Sequence, residues 1–447
     1  MTDYAFVLGK NWTLSIAELL EYLTDRAIDY EIVDYSRTAI ILDLHRYFEP
    51  RELGDIQEAL GGCYKIGKVV SNFNKDLAVR AFPAEGNIHR DARGRLRECP
   101  WVDRIWGNVK GKKIKFGFST YPLVNYESDI DLKKLTLGLD EWTKRTLSEK
   151  GARRAVYYAY DDTDPDNPDM PNMALWPQTV AEQTLYKPPN SEILILLTTN
   201  RMYIANTIVL YDSMLQKYRD ESRPYVAAEI STSPKICRTL LNLAGARRGD
   251  TILDPFCGTG TLLMEGALLG MRVIGIELDG NTAQGARSNL KWLGKDLGEH
   301  LDYKVVKGDA RDANKLIQET VDAVAFEPEL GPVFDNPPQP KKAKSIIDDL
   351  IKLYKQTLNA IATRLRPGGR VGMTLPVINA VGNQVNVDVY RMTDGTPFTV
   401  RKMLRRSQLG SQEKIDDRVK LYPNRETLPE RKRGQVVQRD VLMLSKS

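Results

Sequence analysis

The stretch Asp254-Pro-Phe-Cys-Gly-Thr-Gly-Thr261 decides the fold of this 447-residue chain. A short apolar segment, 251–253, precedes it and an apolar segment with helical character, 262–269, follows, which predicts a strand, a glycine loop and a helix. The two glycines let the backbone approach a ligand closely, and the free amides of the helix N-terminus face the loop. The stretch predicts a nucleotide-cofactor site in an α/β domain, although a plain strand-to-helix turn shares the local pattern.

The residues around the glycines indicate which cofactor the loop would hold. Asp254 ends the strand, where its carboxylate suits the ammonium group of S-adenosylmethionine and would repel a pyrophosphate. Leu263 stands where the dinucleotide fingerprint has its third glycine. Glu277 and Asp309 end the next two predicted strands, where they suit the ribose hydroxyls and the adenine amino group. Each acid alone is also typical of a helix cap or a solvated loop, but acids at three successive strand ends favour S-adenosylmethionine.

The composition indicates a multi-domain protein of the cytoplasm. A chain of 447 residues exceeds what one core usually holds, which predicts two or three domains. Its apolar runs are far shorter than a membrane span and its N-terminus lacks the pattern of a secretion signal, so we expect no membrane association. The four cysteines and three histidines are scattered, which indicates neither a disulfide framework nor a metal site.

Basic residues are clustered, although the net charge is only +5. In one stretch, arginines precede Trp101 and Trp106 and lysines follow them, so that basic and aromatic residues are interleaved. A single cluster of this kind is equally typical of solvated surface. Beside a methyl-donor site it favours a phosphate-rich partner, because counterion release supplies much of the affinity for nucleic acids. The candidate RNA-binding residues are Arg90, Arg93, Arg95, Lys110, Lys112 and Lys113.

Hydrophobic periodicity divides the chain into four parts. Residues 1–72 predict an α+β unit with the order strand, helix, strand, strand, helix, strand, in which Ser15-x-x-Glu18 is expected to cap the first helix. Residues 73–211 predict a second α/β region. Residues 212–233 form a linker to the cofactor domain, 234–447.

The chain resembles the THUMP-domain tRNA guanine-N2 methyltransferases over nearly its whole length. Two opening stretches, Phe6-Val-Leu-Gly9 and Leu14-Ser-Ile-Ala-Glu-Leu19, carry part of the resemblance. The linker residues 219–235, the loop and helix at 254–266 and the closing stretch Gln435-Val-Val-Gln-Arg-Asp440 carry the rest. The family modifies guanosines in the tRNA core, so the resemblance implies tRNA as the partner.

The resemblance also implies the domain architecture and the cofactor residues. Within an α/β fold class, a ferredoxin-like domain (1–72) and a THUMP-like RNA-binding domain (73–211) would hold tRNA. A Rossmann-like, seven-stranded methyltransferase domain (234–447) would bind S-adenosylmethionine and transfer its methyl group to guanine N2. A small activating partner subunit and any oligomeric state stay open. By position, the residues that would line the cofactor site are Asp254, Phe256, Gly258, Gly260, Thr261, Glu277, Asp309 and Ala310.

The sequence departs from the family at the catalytic motif. The fourth predicted strand of the domain leads into Glu327-Pro328-Glu329-Leu330, where the family has Asp-Pro-Pro-Tyr or a close variant. In the family motif a side-chain oxygen and a backbone carbonyl accept hydrogen bonds from the exocyclic amine, and the aromatic ring stacks on the base. Glu327 and Pro328 keep the acceptor and the free carbonyl, so they are the expected catalytic residues. Leu330 removes the ring, which leaves two alternatives: another aromatic residue such as Phe334 takes its place, or the activity is lost.

Several alternatives stay open on the sequence alone. Asp335-Asn-Pro-Pro-Gln339 resembles the motif literally but lies beyond the strand, so we expect a loop that leads into a helix, with Asn336 as a minority candidate for the amine acceptor. The altered motif also fits a non-catalytic RNA-binding homologue. The same amine chemistry would serve an amino-methyltransferase acting on DNA or ribosomal RNA. No residue is identifiable as a general base, and the target nucleotide stays open.

Overall fold

The computed structural model describes two halves, each built on a large sheet. The predicted linker, 212–233, connects them, and its residues 228–231 lie outside the described part of the chain. The described residues are 3–124, 129–158, 163–164, 167–171, 173–227, 232–410, 415–431 and 434–447.

The first half contains a continuous sheet. Its strands are β1 (Asp3–Leu8), β2 (Glu31–Tyr35), β3 (Ala39–Asp43), β4 (Cys63–Asn74), β5 (Lys113–Tyr121), β6 (Arg154–Tyr157), β7 (Thr163–Asp164), β8 (Asn167–Pro171), β9 (Ser191–Leu197) and β10 (Arg201–Leu210). Among the described residues, eight of these strands follow the order β2-β3-β1-β4-β10-β9-β5-β6, and β7 pairs with β8 apart from them. Because β4 pairs with β10 along most of its length, the expected boundary after residue 72 falls inside one sheet. The division into ferredoxin-like and THUMP-like domains stays a prediction.

The helices of the first half cover this sheet. They are α1 (Trp12–Asp25), α2 (Pro50–Ala59), α3 (Lys75–Ala81), α4 (Arg90–Arg97), α5 (Trp101–Trp106), α6 (Leu132–Glu149) and α7 (Pro177–Glu182). Proline at the first position of α2 and the reciprocal hydrogen bonds of Glu49 and Glu52 fix the start of that helix. The first seventy residues have the expected order strand, helix, strand, strand, helix, strand.

The second half contains the predicted Rossmann-like sheet. Its strands are β11 (Thr251–Asp254), β12 (Arg272–Glu277), β13 (Tyr303–Lys307), β14 (Val321–Phe326), β15 (Leu365–Ala380), β16 (Asn383–Asn386), β17 (Phe398–Arg401), β18 (Thr427–Glu430) and β19 (Val437–Lys446). Seven described strands follow the order β13-β12-β11-β14-β15-β19-β17, and β16 and β18 add to β15 and β19. The first five on this path are parallel, and β19 is antiparallel between β15 and β17.

Helices cover both faces of the second sheet. They are α9 (Pro234–Leu243), α10 (Thr261–Leu268), α11 (Gly280–Leu297), α12 (Ala313–Leu316), α13 (Pro340–Ala362) and α14 (Val389–Thr393), after the linker helix α8 (Ser213–Ser222). Neighbouring residues of β11 face opposite cores, since Ile252 packs with α9, α10 and α11, and Leu253 packs with α13. In such a doubly wound sheet, ligands bind at the carboxyl ends of the strands where the strand order reverses, here between β11 and β14.

The start of α1 differs from the prediction. The helix begins at Trp12 with Asn11 as its N-terminal cap, so Ser15 and Glu18 lie inside the helix and not at its end. The Ser15 hydroxyl donates to the Asn11 carbonyl at 3.3 Å. A Ser-x-x-Glu pattern one turn into a helix has the same local spacing as a capping box, and the partner of Glu18 lies elsewhere in the fold.

Glu18 joins the two halves. Its carboxylate is buried and accepts hydrogen bonds from the amides of Gly61 and Gly62, both at 2.7 Å, and from Asn242 Nδ2 of α9 at 2.8 Å. Burial raises the pKa of Glu18 above its ordinary value, against these hydrogen bonds, which lower it. Apolar residues of α1 and α9 also belong to one core. The two halves therefore share a packed, hydrogen-bonded contact.

The described residues contain neither a membrane-spanning helix nor a cluster of metal ligands. No helix there is both long enough and apolar enough to cross a membrane. Over the same residues, no three His, Cys, Asp or Glu side chains come together in a group that could hold a metal ion.

Candidate active site

The loop between β11 and α10 is the first part of the site. Gly258 has a φ of 51° and Gly260 a φ of 84°, values in the left-handed region that favours glycine. A Cβ atom at Gly260 would also lie 3.2 Å from the Cβ atom of Ala286 on α11. The glycines therefore let the chain turn sharply, and the N-terminus of α10 lies at the carboxyl end of β11.

Two predicted cofactor residues hold this loop in place. Glu277, at the end of β12, accepts hydrogen bonds from the Gly258 amide at 3.0 Å and from the Asp279 amide at 2.9 Å. Thr261, the first residue of α10, is buried and accepts a hydrogen bond from Arg223 of the linker at 3.0 Å. Both side chains thus stabilise the loop itself.

Asp254 is the most deeply buried of the three predicted cofactor acids. It is 3% exposed, and its Oδ1 atom accepts a hydrogen bond from the Phe256 amide at 2.9 Å. Burial raises the pKa of Asp254 well above its ordinary value, and the charges of Glu277 and Glu327 raise it further. A buried carboxylate beside two other acids is unfavourable unless a cation joins it. The position therefore fits an ammonium group.

A cavity of about 570 Å³ opens beside these residues, at the carboxyl ends of the parallel strands. This volume is in the range of small-molecule sites. The Phe256 ring, which lines the cavity, stacks on Phe326 of β14 with ring centroids 5.6 Å apart. The predicted cofactor residues that line the cavity are Phe256, Glu277, Asp309 and Ala310.

Asp309 has a partner that the prediction did not include. Arg311 Nε lies 3.0 and 3.1 Å from the two carboxylate oxygens of Asp309, and Arg311 Nη2 donates to Oδ2 at 2.6 Å. These hydrogen bonds hold the pKa of Asp309 below its ordinary value. The carboxylate expected to accept from adenine is therefore already paired. This ion pair could have been predicted from the sequence, because Arg311 follows Asp309 by two positions.

Glu327 follows β14 directly, as predicted, but its carboxylate is already bound. Oε1 accepts hydrogen bonds from Thr232 Oγ1 and Arg439 Nη2, both at 3.0 Å. Oε2 accepts from Thr374 Oγ1 at 3.3 Å and lies 2.5 Å from Arg439 Nε. A carboxylate has about four acceptor positions. Three hydrogen bonds and the ion-pair contact of Arg439 Nε therefore surround the carboxylate of Glu327.

Sequence reasoning missed these partners. Arg439 lies 112 positions from Glu327, and Thr374 lies 47 positions away. No local pattern connects residues so far apart, and only the pairing of β15 with β19 brings them together.

The rest of the variant motif is fixed to α13. Pro328 is buried, whereas Glu329 is exposed and lines the cavity. Tyr354 of α13 donates a hydrogen bond to the Glu329 carbonyl at 2.5 Å. Phe334 packs against the core beside α13, with Lys342 Nζ 5.7 Å from its ring centroid. The ring considered as a substitute for the missing tyrosine therefore packs against protein.

The Asp335-Asn-Pro-Pro-Gln339 stretch is a loop that leads into a helix, as expected. Asn336 is exposed, and Gln339 directly precedes the first residue of α13. The Pro338 carbonyl accepts a hydrogen bond from the Val381 amide at 3.0 Å, which fixes the loop to the end of β15. None of these contacts involves Glu327.

Five of the six predicted RNA-binding residues are exposed. They are Arg90 and Arg95 on α4 and Lys110, Lys112 and Lys113 at the start of β5. Lys113 pairs with Arg154 of β6, the outermost strand, and the Arg154 amide donates to the Lys112 carbonyl at 3.3 Å. We call the group Lys110, Lys112, Lys113, Arg153 and Arg154 the basic edge.

The tryptophans interleaved with these residues do not reach the surface. Trp101 is fully buried and donates a hydrogen bond to Thr143 Oγ1 at 3.1 Å. Trp106 is buried and donates to the Pro189 carbonyl at 2.8 Å. Arg93 is half-buried, and its Nε atom donates to the Ala81 carbonyl at 2.9 Å. The aromatic residues therefore serve the core, and Arg93 is the weakest of the six candidates.

The sheet order and the glycine loop define the second half as a Rossmann-like methyltransferase domain. TrmN from Thermus thermophilus has the same overall fold, with a TM-score of 0.53 at 15% identity over 100% of both chains. Residues 222–381 match the family described as RMKL-like, methyltransferase domain.

The names of three similar proteins also describe methyltransferases. The tRNA (guanine(10)-N2)-dimethyltransferase of Methanothermobacter thermautotrophicus is 28% identical over 61% of this chain and 75% of its own length. The enzyme of the same name from Methanocaldococcus jannaschii is 34% identical over 34% of this chain and 44% of its own length. The tRNA (guanine(10)-N(2))-methyltransferase of Saccharomyces cerevisiae is 31% identical over 67% of this chain and 60% of its own length. The chain is therefore similar to tRNA guanine-N2 methyltransferases, and the match spans less than two thirds of the last two relatives.

Proposed function

We propose that this chain transfers the methyl group of S-adenosylmethionine to the exocyclic N2 amine of a guanosine in tRNA. The observation that carries the proposal is the buried Asp254, which directly precedes the cavity-lining residues Pro255 and Phe256, with Glu327 at the end of the adjacent strand. The names of the relatives support the choice of tRNA and of guanine N2.

The cofactor residues follow from the chemistry of the site. Among the described residues, Asp254 accepts a single hydrogen bond, and its charge fits the ammonium of the methionine moiety. Glu277 faces the cavity with acceptor positions for the ribose hydroxyls, and Phe256 and Ala310 supply apolar surface for the adenine. Gly258 and Gly260 give the loop the shape that brings its backbone to the ligand.

The transfer needs an oriented amine and an electrophilic methyl group. S-adenosylmethionine supplies that methyl group on a sulfonium. Glu327 and the Pro328 carbonyl hold the N2 amine in line with it, so that the N–C bond forms as the S–C bond breaks. The amine attacks without prior deprotonation and loses its proton to solvent afterwards, so no general base is needed. Because Thr232, Thr374 and Arg439 surround the carboxylate of Glu327, one of these contacts gives way when the amine binds.

The first half is the proposed tRNA-binding part. The exposed lysines and arginines of the basic edge supply positive charge for phosphates. The hydrogen bonds of Glu18 and the shared core fix the first half to the catalytic half. A tRNA held by the first half would therefore be presented to the site at a defined distance.

A panel of nucleic acids tests this proposal. Purified protein is incubated with radiolabelled S-adenosylmethionine and unmodified tRNA transcripts, with duplex DNA and ribosomal RNA in parallel. Label in tRNA alone is the expected result, and label in DNA or ribosomal RNA alone would contradict it. The occupied carboxylate of Glu327 favours a second candidate, a non-catalytic RNA-binding protein. That candidate requires tRNA binding without label on any substrate.

A further inference from the structure

Arg439 is the strongest partner of the Glu327 carboxylate. It lies on β19 and is 16% exposed, and its Nε and Nη2 atoms face the two oxygens of Glu327. Its third nitrogen, Nη1, lies 3.4 Å from Glu430 Oε2 on the neighbouring strand β18. Arg439 and Glu430 are direct cross-strand partners. One guanidinium therefore ties the end of β14 to the closing strands of the sheet.

The charges around this contact keep Arg439 ionised. Burial lowers the pKa of Arg439, but the nearby carboxylates of Glu327 and Glu430 raise it more, so its pKa lies above the ordinary value. A planar guanidinium can approach both oxygens of a carboxylate at once, whereas a lysine ammonium is a single point charge. Arginine at this position therefore fixes the orientation of Glu327 and supplies the opposite charge.

The donors to Glu327 differ in how firmly they are held. Arg439 and Thr374 lie on paired strands, where Arg439 pairs with Pro376 and Thr374 pairs with Val441. Thr232 lies in the linker, two residues before α9. A substrate amine can replace the Thr232 hydroxyl without disturbing the sheet. The exchange conserves hydrogen bonds, because an amine N–H takes the place of an O–H donor.

We propose that Arg439 is a positioning residue for methyl transfer: with Thr374 it fixes the carboxylate of Glu327, and the Thr232 hydroxyl holds the acceptor position that the target amine takes over. This inference rests on the proposed function. Glutamate has one more rotatable bond than the aspartate of the family motif, so its carboxylate needs more restraint to stay in one place. Arg439 supplies that restraint.

Steady-state methylation of tRNA by three variants tests the role of Arg439. Arg439→Gln removes both the positive charge and the planar guanidinium. Arg439→Lys keeps the charge but loses the guanidinium. Arg431→Gln is the matched control. Arg431 directly follows β18 and makes an ion pair with β19, in which its Nη2 atom lies 2.9 Å from Asp440 Oδ1. For Arg439→Gln we expect kcat to fall about 100-fold with little change in KM, the effect of misplacing a reacting group. Arg439→Lys should recover part of the loss, and Arg431→Gln should match the wild type.

The outcomes separate this inference from the function it rests on. Wild-type kcat in Arg439→Gln would overturn the positioning role, as would a loss of S-adenosylhomocysteine binding by calorimetry. If Arg439→Gln does not fold, Arg439→Lys and Thr374→Val carry the test, and each must lower kcat. If the wild type methylates no nucleic acid, the proposed function is wrong, and the positioning role of Arg439 is wrong with it.

A fourth variant tests the role of Thr232. Thr232→Val removes the hydroxyl and keeps the shape, which frees one acceptor position on Glu327. The target amine no longer competes with a bound donor, so we expect KM for tRNA to fall a few-fold. An increase in KM would show that the Thr232 hydroxyl helps to hold the substrate. It would contradict the proposal that the target amine replaces this hydroxyl on Glu327.

Discussion

Asp254→Asn is expected to stabilise the protein without cofactor. Asparagine keeps an Oδ1 atom, so it still accepts the hydrogen bond that the Phe256 amide makes at 2.9 Å. The substitution removes a carboxylate that is 3% exposed and whose pKa is raised well above its ordinary value, mainly by burial. Because burial disfavours the charged form of this carboxyl group, its removal should raise the free energy of unfolding at neutral pH. The melting temperature of the cofactor-free protein should therefore rise, which scanning calorimetry measures.

The pH dependence of this gain follows from the sign of the shift. The folded protein holds the Asp254 proton more tightly than the unfolded chain, in which an aspartate has a pKa of about 3.9. Above about pH 4, up to the raised pKa, the folded state therefore binds more protons, and wild-type stability falls as pH rises. Asparagine does not titrate. The gain in Asp254→Asn should be smallest below about pH 4 and grow toward neutral pH.

Cofactor binding should change in the opposite direction. Removing one partner of a buried charge pair costs about 2–4 kcal/mol, which weakens binding of S-adenosylhomocysteine about 30- to 700-fold. In the wild type the bound ammonium favours ionised Asp254, so binding should release protons. Calorimetry in two buffers of different ionisation enthalpy measures that release, which Asp254→Asn should lose. A variant that binds as tightly as the wild type, or that melts at a lower temperature, would refute this account of Asp254.

Three further predictions concern other parts of the molecule. Glu18→Ala leaves buried N–H groups of both halves without an acceptor. The free energy of unfolding, measured in urea, should fall by about 3–5 kcal/mol. A decrease below about 1 kcal/mol would show that this contact does not stabilise the two halves. Burial, with the charge of Glu141, raises the pKa of Asp140 to about 8, so wild-type stability falls between about pH 4 and 8. Asp140→Asn should remove that decline, and identical pH profiles would contradict the shift. Replacing Lys112 and Lys113 by glutamine should reduce the salt dependence of tRNA affinity by about one unit per lost phosphate contact, and an unchanged slope would exclude the basic edge.

Local patterns predicted the elements that position the site. An apolar run precedes each of Asp254, Glu277 and Asp309, and the structure has β11, β12 and β13 there, with β13 ending two residues before Asp309. Proline and glycine at 367–369 are typical of a turn, whereas the structure includes these residues in β15, at a shift in the pairing with β14. Proline and glycine favour both a turn and such an irregularity, so the sequence does not distinguish them.

The partners of the site residues were not predictable in the same way. The Glu327 contact with Arg439 and the Glu18 contact with Asn242 join residues that are far apart in the chain, and only the fold brings them together. The burial of the tryptophans beside the basic residues was also not predictable from local sequence. Trp101 next to arginines has the composition of a nucleic-acid surface, but the direction of its side chain depends on packing against α6.

The most direct test of the central claim compares the wild type with Glu327→Ala on an unmodified tRNA transcript. The products are digested to nucleosides and identified by mass spectrometry, and S-adenosylhomocysteine binding is measured by calorimetry for both proteins. We predict N2-methylated guanosine with the wild type, none with Glu327→Ala, and equal cofactor affinity in the two. Methylation that persists in Glu327→Ala, or no methylated guanosine with the wild type, would contradict the account.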